Sequence, residues 1–230
     1  MADARAKTVS LFLGAGASRP FGIPVTAEIL PEILGRLDKG TLFDERPTPR
    51  TAAAEARRDL RDGLERLVPG LFRDGVTPPL LTDLLSLVDQ LVAEGHATAP
   101  QLSVRALDRL RVLLEQATAE VLARPVDGES AQPNRPLLDR FVDWISSCAR
   151  AGGPCHLRII STNYDVVLEK RLYALFEGSL AEAVDFGMSW REAARPEPAH
   201  PRPAAPRLGL YKLHGSLDWL RCALCGHVYV

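Results

Sequence analysis

The chain has 230 residues, 46% of them hydrophobic and 25% charged, a balance that suits a folded globular protein and excludes a wholly disordered one. Its 28 Lys and Arg against 29 Asp and Glu leave a net charge of −1, so no overall basic field favours nucleic acid or an anionic membrane surface. No apolar run approaches the roughly 18 residues of a membrane span. Arg5 and Lys7 ahead of Val9–Leu13 outline a secretion signal only faintly, because Gly14 ends the apolar stretch after five residues. The stretch reads instead as a buried first strand. Four cysteines are too few for a disulfide scaffold, and the cytoplasm is the expected compartment.

In chain order, Lys7–Leu13 is β-branched and aromatic and stops at Gly14-Ala15-Gly16-Ala17-Ser18, the strand-to-glycine-turn opening of a nucleotide-binding α/β unit. A helix is predicted over 26–37, with Thr26 as its N-cap and Pro31 disturbing its first turns. A loop with Pro47 and Pro49 follows over 41–50. Apolar spacing near 3.6 then predicts helices over 51–67, 79–94, 101–123 and 136–150, with a loop over 124–135. Residues 26–150 are thus read as a helical layer inserted between two halves of a sheet.

A second strand is predicted over 156–161, followed by Asn163-Tyr164-Asp165 and a helix to about Phe176. Five prolines make 195–206 a loop, and a third strand over 208–213 runs into His214-Gly215-Ser216. Cys222-x-x-Cys225 precedes an apolar, β-like tail whose strand would be an unpaired edge. Three strands that each end in a small polar cluster are expected to converge on one crevice, because ligands of open α/β sheets sit at the strands' carboxyl ends.

The residue types suggest chemistry. Gly14 and Gly16 allow backbone N–H groups to approach a phosphate, with the following helix N-terminus adding positive potential; a structural glycine turn explains the same pattern. Asn163 and Asp165 suit a pocket that holds ribose hydroxyls and a developing positive charge, or a turn and an N-cap. His214, at a strand end, suits a general base near neutral pH, or a structural role. Cys222 and Cys225 have the spacing of one zinc knuckle, half of a tetrahedral site, with His227 close for a third ligand. Cys148 and Cys155 are not assigned to it.

The order of these motifs resembles the sirtuin family. Gly14-Ala15-Gly16-Ala17-Ser18 with Gly22-Ile23-Pro24 is similar to G-A-G-x-S-x-x-x-G-I-P, and Ser161-Thr162-Asn163-Tyr164-Asp165 to the T-Q-N-I-D strand end. Leu213-His214-Gly215-Ser216 resembles the family's catalytic H-G, and Cys222-x-x-Cys225 falls where sirtuins place their first zinc pair. The resemblance implies one Rossmann-type NAD-binding domain over 1–230, with a parallel sheet, the helical insertion and a partial zinc ribbon over 222–230. It implies that Gly14, Ala15, Gly16, Ser18 and Thr162 contact NAD, that Asn163 and Asp165 line its nicotinamide-ribose pocket, and that His214 is the base. Zinc at Cys222 and Cys225 would be incomplete. The family's later strands, with its second zinc pair, would lie beyond Val230. A sheet incomplete at the C-terminus is therefore expected, as a truncated domain or a half-site completed by another chain.

Departures from the family separate its branches. Val25-Thr26-Ala27 stands where protein-deacylating members continue G-I-P with Asp-Phe-Arg, so the residues that shield the nicotinamide pocket from water are missing. With the long insertion, this resembles the bacterial sirtuin-like NAD hydrolases of anti-phage defence. The expected activity is NAD hydrolysis to nicotinamide and ADP-ribose, with NAD as substrate and with self-association or a defence-system partner as a regulator. The alternatives are an NAD-dependent protein deacylase and a sensor that binds NAD or ADP-ribose without turnover.

Overall fold

The computed structural model describes residues 7–44, 50–94, 102–127, 134–150 and 155–230. Arg5, the prolines of the 41–50 loop and residues 128–133 of the 124–135 loop lie outside the described residues. The protein is α/β. Strand β1 (Lys7–Leu13) is followed by helices α1 (Thr26–Asp38), α2 (Arg50–Leu67), α3 (Leu81–Glu94), α4 (Val104–Asp127) and α5 (Arg135–Ala149). After these come β2 (Cys155–Ser161), α6 (Val167–Leu175), the single turn α7 (Leu180–Ala183), β3 (Val184–Asp185), β4 (Trp190–Arg191), β5 (Leu208–Lys212), β6 (Leu220–Arg221) and β7 (Val228–Tyr229). Among the described residues no helix is long and apolar enough to cross a membrane.

The chain divides into two compact units, Met1–Ile23 with Pro125–Val230, and Pro24–Arg124. In the first, β1, β2, β5 and β3 form a sheet in the order β1-β2-β5-β3, every pair parallel. Parallel neighbours need long crossover connections, and here β1 and β2 are joined by more than a hundred residues yet pair along their whole length, from Lys7↔Cys155 to Leu13↔Ser161. Alternate residues Leu157, Ile159, Leu208 and Leu210 turn to one face and are buried with Ile145 and Cys148 of α5 and Leu172 of α6. On β1 the same alternation leaves Thr8, Ser10 and Phe12 exposed, Phe12 by 66%. The first strand is therefore not buried on both sides: it is an edge strand with one covered face.

The terminal segment also differs from expectation. β7 is the central strand of a small second sheet, order β4-β7-β6, parallel to β4 and antiparallel to β6. The Val230 N–H donates to the Arg191 carbonyl and its carbonyl accepts from Ala193, at 2.9 and 3.1 Å. The tail is paired on both sides because Trp190–Arg191, too short to read as a strand, supplies the second neighbour.

In the Pro24–Arg124 unit, α1 starts at Thr26 with Val25 as its cap residue. Thr26 is not the cap: Glu28 reaches back to accept the Val25 N–H at 3.1 Å, which also places a carboxylate at the helix's positive end. Pro31 is accommodated within the helix. Leu107, Leu110, Leu114, Ala117 and Val121 line the face of α4 that packs into a core with Leu30, Ile33, Leu60, Leu64, Leu84 and Val88. α4 runs on to Asp127, past the boundary predicted at 123.

Phe43, in this unit, has φ 69°, a left-handed backbone that a bulky side chain rarely adopts. It is buried, and its N–H donates to both carboxylate oxygens of Glu120, at 3.0 and 2.9 Å. Glu120→Ala removes that acceptor while the strained turn remains. The substitution is expected to lower stability by about 1–3 kcal/mol, read as a lower urea midpoint at unchanged m.

Candidate functional site

The register of the large sheet sets the level of the site. Leu13, Ser161 and Lys212 occupy one row across β1, β2 and β5. Ala15, Asn163 and His214 each stand two residues beyond that row. The three strand ends are also bonded to one another: the Thr162 N–H donates to the Leu13 carbonyl at 3.1 Å and the Leu213 N–H to the Ser161 carbonyl at 2.9 Å.

The glycine segment forms a 3-10 turn over Ala15–Ala17 and a second over Arg19–Phe21. No long helix starts from the glycine turn, so the expected helix N-terminus is absent there. Gly14 has φ −100°, open to any residue. A Cβ on Gly14 would have Thr162 Oγ1 as its nearest atom, at 4.0 Å, and a Cβ on Gly16 would meet nothing within 4 Å. Neither glycine is demanded by strain or by close protein packing. What they provide is open space beside the turn.

Asn163 joins two of the motifs. It is buried, and its Nδ2 donates to the Gly14 carbonyl at 3.0 Å and to Ser18 Oγ at 2.9 Å. The carbonyl partner, which can only accept, identifies the nitrogen. Asn163 Oδ1 is buried without a hydrogen-bond partner among the described residues, an uncommon state for a buried polar atom. Asp165 is also buried, and its Oδ1 accepts the Val167 N–H at 3.2 Å in the first turn of α6.

A cavity of about 250 Å³ opens here, lined by Leu13, Ala17, Ser18, Phe21, Leu137, Leu138, Phe141, Ser161, Asn163, Asp165, Val167, Leu168, Glu169, Leu210 and Lys212. Ser18, Asn163 and Asp165 thus meet at one mostly apolar pocket, the usual character of a small-molecule site. Gly14, Ala15, Gly16, Thr162 and His214 are not in its wall. His214 is exposed beside it, its ring stacked on Tyr164 at 5.6 Å between centroids.

Two residues that the sequence reading passed over, Lys212 and Glu169, complete the pocket floor. Their side chains are only 2% and 1% exposed and form an ion pair. Lys212 Nζ also donates to the Asp165 carbonyl at 2.6 Å, and Ser216 Oγ donates to Glu169 Oε1 at 2.9 Å. Burial pushes the Glu169 carboxyl up, and Lys212 pulls against that shift. A lysine at the end of the apolar run Leu208–Tyr211, and a glutamate on the apolar face of α6, are the available sequence signals.

At the edge of the sheet, Asp185 accepts from Arg202 Nε and Nη2 at 3.0 and 2.7 Å, from the Gly187 N–H at 2.8 Å and from Tyr211 Oη at 3.1 Å. The Arg202 hydrogen bonds lead in holding its carboxyl below the usual range. A depressed carboxyl contributes stability above its unfolded value of about 3.9, lost as pH falls through the lower folded value. Arg202→Met is therefore expected to destabilise the protein at neutral pH and to converge with the parent below about pH 4. Thermal melts across that range check it.

Cys222 and Cys225 form a tight turn in which the Gly226 N–H donates to the Cys222 carbonyl at 2.9 Å, with Gly226 at φ 71°. The amides of Cys225 and Leu224 favour the Cys222 thiolate. The His227 ring lies 3.5 Å from Arg191 Nη2, and Cys148 is buried in the core. Among the described residues there is no cluster of three or more side chains able to hold a metal ion. Two thiols are half of a tetrahedral shell, so this donor set does not by itself fit a resident zinc.

Comparison with protein-family models finds no match to the chain, and comparison with curated proteins likewise finds none.

Proposed function

We propose that the protein is a sirtuin-like NAD hydrolase built on a Rossmann-type sheet, which binds NAD at the carboxyl ends of β1, β2 and β5 and cleaves it to nicotinamide and ADP-ribose. The observation that carries the reading is Asn163 bridging Gly14 and Ser18 while its Oδ1 has no partner among the described residues. The glycine turn and the Asn-x-Asp segment, 145 residues apart at Ser18 and Asn163, become one polar corner over an apolar pocket of a size to take a pyridine ring. The space beside Gly14 and Gly16 supports phosphate approach in the same crevice.

In the proposed step a water oxygen bonds to C1′ of the nicotinamide ribose as the C1′–N bond breaks. The bonding pair passes to the pyridinium nitrogen, so nicotinamide leaves neutral. Asn163 Oδ1 accepts a hydrogen bond from the water or a ribose hydroxyl, and His214 takes the water's proton and passes it to solvent, to which its ring is open. Zinc enters none of this; Cys222 and Cys225 would need two further donors to hold it.

Incubation with NAD and no peptide is expected to release nicotinamide, and His214→Ala to lower kcat by about 10²–10⁴. Nicotinamide and ADP-ribose are followed by chromatography. Release that requires an acyl-lysine peptide would make the protein a deacylase. One observation favours a different reading: His214 stands outside the cavity wall, as suits a sensor that binds NAD or ADP-ribose without turnover. Binding by calorimetry with no nicotinamide release would identify that sensor.

A further inference from the structure

The His214 ring has no hydrogen-bond partner among the described residues; its one ring contact there is the stack on Tyr164. A base is useful only where it is held in place, so the loop that carries it must be positioned by its flanks. Gly215, at φ 82°, turns the chain directly after the histidine, its N–H donating to the Lys212 carbonyl at 3.2 Å. The next three residues are then tied down in succession. Ser216 Oγ donates to Glu169, the Leu217 N–H donates to the Tyr164 carbonyl at 2.9 Å, and Asp218 Oδ2 accepts from Tyr173 Oη at 2.8 Å.

Glu169 and Tyr173 are four residues apart on α6 and so share one face. The same helix follows directly on Asn163–Asp165. Tyr173 packs edge-on against Phe186, which packs edge-on against Trp219. Burial, with Asp218 beside it, pushes the phenol's ionisation up, so Tyr173 keeps its proton and remains a donor.

We infer that α6 positions the histidine loop: Tyr173 acting through Asp218, and Glu169 acting through Ser216, hold residues 214–219 so that the His214 ring stays on Tyr164 at the strand ends. These are positioning residues, and their effect on turnover rests on the reading of His214 as the base. A loop anchored to the helix that also carries the Asn163 segment keeps base and acceptor in register.

Tyr173→Phe removes only the hydroxyl and keeps the ring packing. It is expected to lower kcat for nicotinamide release about tenfold with KM within about twofold, and to change nothing further in a His214→Ala background. Asp218→Ala is expected to match it, and Asp218→Asn, which retains an acceptor, to restore most of the loss. The imidazole signals of His214, assigned by their disappearance in His214→Ala, are expected to shift and broaden in Tyr173→Phe. Ser216→Ala provides a second variant should Tyr173→Phe fail to fold, with the same expectations. Unchanged His214 signals and unchanged kcat in the folded variants would overturn the inference, as would an equal loss in the His214→Ala background. If the parent protein releases no nicotinamide, the hydrolase reading falls, and the imidazole spectrum alone then decides whether α6 positions the loop.

Discussion

Asn163→Ala is expected to reduce nicotinamide release by about 10²–10³ in kcat, the usual effect of losing one preorganised polar contact to a transition state. The amide does two things. Its nitrogen closes the corner between the Gly14 carbonyl and Ser18 Oγ, and its oxygen is the unpaired acceptor. Asn163→Asp separates the two roles, because it keeps the shape and an acceptor but faces a carboxylate toward the Gly14 carbonyl oxygen. That change removes a buried donor and is expected to lower stability by about 1–3 kcal/mol. Both variants are therefore measured by thermal melts alongside steady-state kinetics and NAD affinity. Full turnover in folded Asn163→Ala would remove the site from this crevice.

Lys212→Met is expected to have the largest effect on stability. It leaves the Glu169 carboxylate, 1% exposed, without its counter-charge, and breaking one side of a buried pair typically costs about 3–5 kcal/mol. The double variant Lys212→Met with Glu169→Leu is expected to recover most of that loss, since an apolar pair of similar volume is often tolerated in place of buried ions. The pH dependence has a definite sign. Burial already pushes the Glu169 carboxyl up, and Lys212 opposes this. Without the lysine the folded state keeps the proton while the unfolded chain loses it above about pH 4.3. Because the parent's carboxyl is itself raised, the deficit of Lys212→Met is smallest where Glu169 is protonated in both folded proteins and grows as pH rises through the parent's folded value, until the variant's carboxyl also ionises. A flat deficit across pH 4–8 would show that Glu169 is not buried as a charge. Lys212 also donates to the Asp165 carbonyl, so loosening of the Asp165 segment is expected in the same variant.

By itself the sequence determined the long elements and their class. The runs Lys7–Leu13, His156–Ser161 and Leu208–Lys212, each ending in small polar residues, form the three long strands of a parallel sheet, and the apolar spacing over 107–121 forms the buried face of α4. These signals are local, set by side-chain periodicities of 2 and 3.6 residues. Where two local readings competed, sequence was a poorer guide. Thr26 rather than Val25 looked like the cap, and the glycine segment looked like the start of a helix rather than a pair of 3-10 turns.

Only the tertiary structure decided the pairings. Register across β1, β2 and β5 placed Ala15, Asn163 and His214 at one level, and hydrogen bonds over 145 residues joined Asn163 to Ser18. It also made the apolar tail the middle strand of a second sheet and left one face of β1 bare. The buried Lys212–Glu169 pair and the Tyr173–Asp218 bond could not be read from either partner alone. A charge is stable in an apolar interior only beside its counter-charge, and which residue supplies it is settled when a strand and a helix far apart in the chain pack together.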